Sequence, residues 1–445
     1  MRIIKEASSD VFKAWGEGKI SETEYRLIKY NLRKDVDEGT LLCNTVTGEL
    51  ILLGEEEKAL LEKLPLPYDA KLDELIKRRF LVPADYDEHS AVLKLRKILQ
   101  LLNRKKEITG YTILPTTCCN ARCFYCYEAN YKHISMSEQT ADDVVEFIKD
   151  HHGDKKVGIG WFGGEPTLGE ARIDQICKGL QNENIEYSSS MISNGYLFDE
   201  EMAKKAKELW KLTNIQITLD GTEEIYNKVK AYVGIKDSAY KRVVRNIGLI
   251  LDQDIRVSVR MNLDRHNADD LKNLIEELAI TFKGREKFSA YVHPLFDDCG
   301  FKPVQHEEAD RLWLVAKQTE LNNIIIANKF FSKRENAIPK LVFNHCMADN
   351  DASLIISPDG TFSKCEHICE ENIGNVKEGI TDTDKLAYWK IPIEYPECAD
   401  CKIFPACIEL KNCFSSTGCY KDTREVKINA FADALETVFN KENNK

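Results

Sequence analysis

The chain has 445 residues, a net charge of −11 and fifteen cysteines. The length predicts two or three domains, each burying its own core, and the acidic balance argues against a general nucleic-acid binder, which carries a basic face. Met1–Ile20 has no apolar signal-like region, and no stretch approaches the ~20 consecutive apolar residues that span a bilayer, so the expectation is a cytoplasmic chain without nucleic-acid or membrane partners. Cytosolic thiols are kept reduced, so clustered cysteines in such a chain point to metal rather than to disulfides.

Residues 1–95 contain no cysteine cluster. "TLLCNTVTGELILLG" reads as a β-hairpin around a Gly-containing turn. "EEEKALLEKL" follows as an amphipathic helix, and "AKLDELIKRRFLV" as a second helix running into a short strand that stops at Pro83. A small sheet with helices of this kind suits a winged-helix-like module. "HSAVLKLRKILQLLNRKK" then predicts a charged helix joining head to middle, with 96–107 as the linker.

From 108 to 300 one theme repeats. Runs at 109–117, 157–164, 187–195, 215–221, 255–263 and 288–296 read as strands, with amphipathic stretches between them. Ser135 and Glu138 form a capping-box pattern ahead of "TADDVVEFIKDHH". Strands alternating with helices predict parallel βαβ units, whose functional loops gather at the strand C-terminal ends. An α/β class follows.

The loop after the first strand is "CCNARCFYCYEA" (118–129). Cys119-x3-Cys123-x2-Cys126 offers three closely spaced thiolates. A zinc site prefers four ligands in two pairs. Cys118 is the spare thiol, but its side chain points away from its neighbour's if the strand continues. A four-iron cluster held by three protein thiolates leaves one iron open to bind a ligand and do chemistry.

Here the motif resembles the radical S-adenosylmethionine (SAM) enzymes, whose CxxxCxxC signature it matches, aromatic residue before the last cysteine included. "GGEP" (163–166), "SNG" (193–195), "LDG" (219–221) and "VRMN" (259–262) fall at or near the ends of successive strands, where that family places its SAM contacts. The resemblance covers roughly 108–300 and implies a partial (β/α)6 barrel. It implies that Cys119, Cys123 and Cys126 hold a [4Fe–4S] cluster whose open iron SAM chelates. Reduction then gives a 5′-deoxyadenosyl radical, which takes a hydrogen atom from a C–H bond. By motif position, Gly163, Gly164 and Glu165 are expected at the methionine amino group. Ser193 and Asn194 are expected at the ribose or carboxylate, Arg260 at the SAM carboxylate, and Tyr125 near the adenine. Asp220 is expected as a polar contact to SAM or substrate, or as a base.

A bridging region (301–345) leads to the cysteine-rich tail. Cys346-x13-Gly360-x4-Cys365, then Cys398-x2-Cys401-x5-Cys407-x5-Cys413 and Cys419, resembles a SPASM domain (346–425) with two auxiliary [4Fe–4S] clusters, followed by a C-terminal helix or tail (426–445). The spacing from Cys407 to Cys413 departs from the usual pattern. The resemblance implies Cys398, Cys401, Cys407 and Cys419 for the outer cluster and Cys346, Cys365 and Cys413 for the inner one, with Cys413 and Cys419 able to exchange roles. The inner cluster's fourth ligand is left between Cys369 and an open iron kept for the substrate. Cys43 and Cys177 read as core thiols, and Cys299 is ambiguous. A structural zinc domain is the plainer reading of the tail.

Radical SAM–SPASM proteins modify peptides or proteins, and a winged-helix-like head resembles the recognition element of ribosomal-peptide maturases, which takes the precursor's leader as an added strand. The implied activity is maturation of a precursor peptide, most simply a Cys thioether cross-link as in sactipeptide and ranthipeptide maturases, with flavodoxin or ferredoxin as reductant. Carbon–carbon cross-linking, epimerisation, backbone excision and formylglycine formation stay open. So does a non-catalytic iron–sulfur electron-transfer role, which needs no SAM site.

Overall fold

The computed structural model describes residues 1–235, 237–295, 308–330, 338–367, 371–411, 413, 419 and 421–443. Cys299 and Cys369 lie outside the described residues. The head runs β1 (Arg2–Lys5), α1 (Ser9–Trp15), β2 (Glu24–Leu27), β3 (Asn31–Val36), β4 (Gly39–Asn44), β5 (Glu49–Leu53), α2 (Glu55–Leu61), β6 (Leu66–Pro67), α3 (Asp73–Lys77), β7 (Leu81–Pro83) and α4 (Glu88–Leu102). The expected hairpin is β4–β5, paired from Thr40↔Leu53 to Asn44↔Glu49. Gly48 closes its turn with φ 71°, a left-handed conformation that favours glycine. β1, β5, β4 and β3 form one sheet in that order, with β3 at an edge.

In the middle the six strand-like runs are β8 (Gly110–Thr116), β9 (Val157–Gly163), β10 (Tyr187–Ser193), β11 (Leu212–Thr218), β12 (Arg256–Leu263) and β13 (Phe288–Pro294). Between and after them lie α5 (Glu138–His151), α6 (Glu170–Asn182), α7 (Glu200–Glu208), α8 (Glu223–Lys230), α9 (Ala239–Asp252), α10 (Ala268–Thr281) and α11 (Glu308–Ala327). The strands lie side by side in chain order, every pair parallel. One face is apolar. Ile113, Ile159, Trp161, Met191, Ile217 and Val259 pack on Ile173, Leu180, Val243, Ile247 and Leu274 of the helices. Side chains alternate along a strand, so the other face carries Thr112, Gly158, Gly160, Ser188, Ser190 and Asn214, which line an open cavity.

The cap of α5 differs from the sequence expectation. Ser137, not Ser135, is its N-cap and accepts from the Thr140 amide. Ser135 instead bridges to Thr116, with their hydroxyls 2.9 Å apart.

The tail contributes β14 (Ser353–Ile356), β15 (Thr361–Ser363), β16 (Gly374–Asn375), β17 (Gly379–Ile380), α12 (Thr383–Tyr388), β18 (Pro392–Ile393), β19 (Glu409–Leu410) and α13 (Lys421–Asn443). β14 and β15 are the hairpin expected at "ISPDGTFSKC". β14 also lies parallel to β8 and extends the large sheet, which has ten strands among the described residues. Head and tail share cores. Ile28, Tyr30 and Val46 pack with Leu95 and Leu99 of α4 and with Leu341 and Phe404. Leu32, Leu41 and Leu50 pack with Leu435, Val438 and Phe439 of α13. Cys43 and Cys177 are buried. Among the described residues no helix is long and apolar enough to cross a membrane.

Arg96 of α4 ties head to tail. Its guanidinium is buried and donates to the carbonyls of Val342 (3.1 Å), Phe404 (3.2 Å) and Cys407 (3.1 Å), lying 4.9 Å from the Phe404 ring. Replacing it leaves buried carbonyls without a donor, at a cost of roughly 1–3 kcal/mol each. The Arg96→Met variant is therefore expected to lose at least about 2 kcal/mol of stability, read as a lower denaturant midpoint. An unchanged midpoint would mean that water replaces the guanidinium.

Candidate active site

The cysteine loop leaves β8 and returns beside it, closed at the neck by two threonines. The Thr117 amide donates to the Ile134 carbonyl (2.9 Å) and its hydroxyl to the Lys132 carbonyl (2.7 Å). The Thr116 hydroxyl reaches the Ile134 carbonyl (3.0 Å), and the Ile134 amide donates back to the Thr117 hydroxyl (2.8 Å). Within this loop Cys119, Cys123 and Cys126 are half-buried. The Ala121 amide donates to the Cys119 sulfur (3.4 Å). Cys118 turns toward Ser135, 4.0 Å from its hydroxyl.

Burial pushes the Cys119 thiol up to about 12 and the Cys126 thiol up to about 11, and neighbouring thiols act on both in the same direction. Bare thiols so placed keep their protons, whereas iron draws the thiolate out. Among the described residues no three histidine, cysteine or carboxylate groups converge on a single metal ion. The donor set of three soft thiols, close enough to act on one another's ionisation, fits a cluster in which each sulfur takes a different iron.

The strand ends hold this loop. Gly163 and Gly164 sit so close to it that an added Cβ would lie 2.2 Å from the Thr116 carbonyl oxygen and 2.4 Å from that of Cys118. The Glu165 amide donates to the Cys118 carbonyl (2.8 Å). The Glu165 side chain is buried. It accepts from the Thr167 amide (3.2 Å) and hydroxyl (2.5 Å), the Ser193 hydroxyl (2.8 Å) and the Asn194 amide (2.7 Å). Burial holds its carboxyl above the usual range although these bonds pull the other way. Ser193 is buried and committed to Glu165 and to the Gly195 amide. Asn194 donates to Asn120 of the loop (2.7 Å). Glu165 and Ser193 thus bind protein in this structure, and Asn194 reaches the loop.

Tyr125, Asp220 and Lys230 form a buried triad. The Tyr125 hydroxyl donates to Asp220 Oδ2, and Lys230 Nζ lies 3.0 Å from that oxygen and 2.8 Å from the tyrosine hydroxyl. Asp220 Oδ1 accepts from the Asn262 amide (3.2 Å) and side chain (3.0 Å). Both carboxylate oxygens are therefore engaged, and Asp220 is 1% exposed, which is the setting of an anchor. Arg260 lies beside these groups on β12. Its Nε donates to Asn262 Oδ1 (2.9 Å), and another nitrogen lies 3.2 Å from His293 Nδ1. Burial, then the Arg260 charge, pushes the His293 imidazole down.

The tail reaches the same region. The Tyr127 ring lies 3.9 Å from that of His367, and the Tyr131 hydroxyl donates to the His367 carbonyl (2.7 Å). Burial, then Arg260, pushes His367 down to about 4. Glu128 is buried with one oxygen lacking a hydrogen-bond partner, and burial, then the charge of Glu366, pushes it up to about 7. Cys346, Cys365 and Cys413 act on one another's ionisation. Cys398, Cys401, Cys407 and Cys419 line one cavity with Arg424 and Lys427. Lys230, Asn120, Glu128, His293 and His367 were not singled out from the sequence. Asn120, Glu128 and His367 carry a local signal, Asn120 next to Cys119, Glu128 two residues after Cys126 and His367 two residues after Cys365.

Glu165 gives the first check. Glu165→Ala removes every bond between the β9 end and the start of the SNG turn, and loss of a buried hydrogen-bonded carboxylate costs about 3 kcal/mol or more. The variant is expected to unfold earlier and to retain less iron on the 119–126 loop, measured by denaturation and by iron analysis. Unchanged iron content would show that Glu165 does not position the loop.

Residues 113–278 match the model of the radical SAM superfamily. Among curated relatives, the Fe-coproporphyrin III synthase of Methanosarcina barkeri is 28% identical over 182 residues, covering 41% of this chain and 43% of the relative. The GTP 3′,8-cyclase of Clostridium perfringens is 29% identical over 177 residues, 38% of this chain and 51% of the relative. The chain thus spans about half, or less, of these two curated relatives. Among solved structures, anSMEcpe with bound AdoMet shares the fold at TM-score 0.58 and 16% identity, covering 76% of this chain and 99% of that one. Streptococcus suis SuiB bound to S-adenosylmethionine does so at TM-score 0.52 and 14% identity, covering 86% and 94%. This chain carries a radical SAM domain, and that family implies a [4Fe–4S] cluster and SAM.

Proposed function

We propose that the chain is a cytoplasmic maturase of ribosomally made precursor peptides that forms a Cys thioether cross-link. The observation that carries this reading is the placement of a second thiol group beside the cysteine loop, through the contact of Tyr127 and Tyr131 with His367, two residues after Cys365. A thioether from a cysteine thiol and a C–H bond removes two hydrogens. One leaves as a hydrogen atom, the other as a proton and one electron, and the electron needs an acceptor near the forming bond. Cys346, Cys365 and Cys413 would hold that acceptor, and Cys398, Cys401, Cys407 and Cys419 a second cluster that passes the electron outward. A shared fold with a structure of anSMEcpe with bound AdoMet and the Cp18Cys peptide, at TM-score 0.57, supports a peptide as substrate.

Cys119, Cys123 and Cys126 would hold a [4Fe–4S] cluster, which with SAM bound would supply the single electron for forming the 5′-deoxyadenosyl radical. The chain's own residues position. Gly163 and Gly164 let the end of β9 lie against the loop backbone, and Arg260 offers a guanidinium to a carboxylate. Tyr125 is read as lying near the adenine, with its hydroxyl held by Asp220. In the head, residues 1–95, the edge strand β3 is the surface we assign to the precursor's leader as an added strand. A flavodoxin or ferredoxin is the expected reductant.

The test is anaerobic. The reconstituted protein, SAM, a reductant and a Cys-containing candidate precursor are followed for 5′-deoxyadenosine and peptide mass. Loss of two hydrogens mapped to a cysteine and a distant carbon is expected, and Cys119→Ala should abolish both products. Deuterium uptake without mass loss means epimerisation and a larger loss means excision. 5′-Deoxyadenosine with an untouched peptide would refute the assigned substrate. None at all with intact clusters would refute the catalytic reading.

A further inference from the structure

Lys230 has no place in the motifs, yet it is among the most tightly held side chains near the cysteine loop. It is the last residue of α8 and is followed by Ala231 in a left-handed turn, φ 42°. Two backbone bonds splice this turn to the loop. The Arg122 amide donates to the Lys230 carbonyl (2.8 Å), and the Val233 amide to the Asn120 carbonyl (2.9 Å). The side chain then runs inward. Lys230 is 3% exposed, and its ammonium pairs with Asp220 at 3.0 Å and with the Tyr125 hydroxyl at 2.8 Å. Tyr125 stands between Cys123 and Cys126, so the ammonium is one hydrogen bond away from the ligand loop.

Burying an ion pair is expensive and contributes little stability relative to an apolar filling. A pair retained in this position calls for another use. Asp220 puts a full negative charge beneath a loop that carries three thiols, and those thiols become thiolates when iron binds. Among the described residues only Lys230 supplies a cation in contact with that carboxylate. The ammonium is held by the Asp220 carboxylate and the Tyr125 hydroxyl, so its charge is paired at the foot of the loop.

We propose that Lys230 is a positioning residue that neutralises Asp220 and so keeps the reduction potential of the loop cluster within reach of its electron donor. The inference rests on the reading that Cys119, Cys123 and Cys126 hold that cluster. Without Lys230, the Asp220 carboxylate faces the thiolates uncompensated, the extra electron is disfavoured, and the midpoint falls. Removing Asp220 as well takes away the offending charge and restores it.

The experiment is a redox titration of the reconstituted full chain, followed by electron paramagnetic resonance. The loop cluster is identified as the signal that changes on adding SAM. Lys230→Met is expected to shift that midpoint to lower potential, the Asp220→Asn, Lys230→Met double variant to bring it back toward wild type, and Lys230→Arg to leave it near wild type. An unshifted midpoint in an iron-loaded Lys230→Met protein overturns the proposal, as does a double variant no closer to wild type than the single. If Lys230→Met loads no iron, Asp220→Asn decides, because it removes the charge that the ammonium compensates and leaves Lys230 Nζ without its partner. A raised midpoint then supports the proposal and an unchanged one overturns it. A wild-type protein with no SAM-responsive signal refutes the cluster reading itself, a failure distinct from that of Lys230.

Discussion

A loop that presents three thiols must be rigid before any ligand arrives, and its own backbone cannot supply that rigidity. Eighteen residues, 117–134, leave and rejoin the sheet at one point, and a loop of that length has little internal reason to hold one shape. The structure supplies the restraint from outside, one strand end at a time. β8 closes the neck through Thr116 and Thr117. β9 brings Gly163, Gly164 and the Glu165 amide up against the Thr116 and Cys118 carbonyls. β10 reaches in with Asn194 to Asn120. β11 and β12 hold Tyr125 through Asp220 and Asn262. Parallel order makes this possible, because it delivers the C-terminal ends of consecutive strands to one side of the sheet.

The same constraint explains why the tail is not a separate appendage. β14 adds to the free side of β8 in parallel, so the chain around Cys346 and Cys365 is set by the strand that launches the cysteine loop. Head and tail then brace each other. Arg96 hydrogen-bonds the carbonyls around Phe404 and Cys407, and the Thr45 hydroxyl donates to the Lys402 carbonyl (2.6 Å). Tail segments poor in regular structure gain a scaffold from both sides.

Much of this was legible in the sequence because it depends on local pattern. The six strands follow from apolar alternation, and the hairpin at β4–β5 from its turn. The thiol motif is visible because iron–sulfur chemistry fixes residue type and spacing. What was hidden depends on pairing across distance. No local pattern tells that Ser353 aligns with Gly110 or that Lys230 buries its ammonium against Asp220. The cap at α5 was misplaced by two residues because Ser135 and Ser137 are both competent caps, and only the bridge from Thr116 removes Ser135 from the choice. "GGEP" marked its place, but not that Glu165 accepts hydrogen bonds from Ser193 and Asn194.

β9 and the residue that follows it hold two kinds of glycine, one dictated by packing and one not. At Gly163 and Gly164 a side chain would strike the loop backbone, so glycine there is dictated by packing. At Gly158 and Gly160 the case is different. A Cβ at Gly160 would come no closer than 3.4 Å to Thr112 Oγ1, and one at Gly158 no closer than 3.8 Å to the Thr109 carbonyl oxygen. Neither position has the left-handed backbone that favours glycine. A β-branched residue would fit and would strengthen the strand. Serines at 188 and 190 of the neighbouring strand repeat the choice of small over large. A strand interior that gives up stabilising side chains on one face only leaves open the cavity that this face shares with Met347 and Ser353 of the tail.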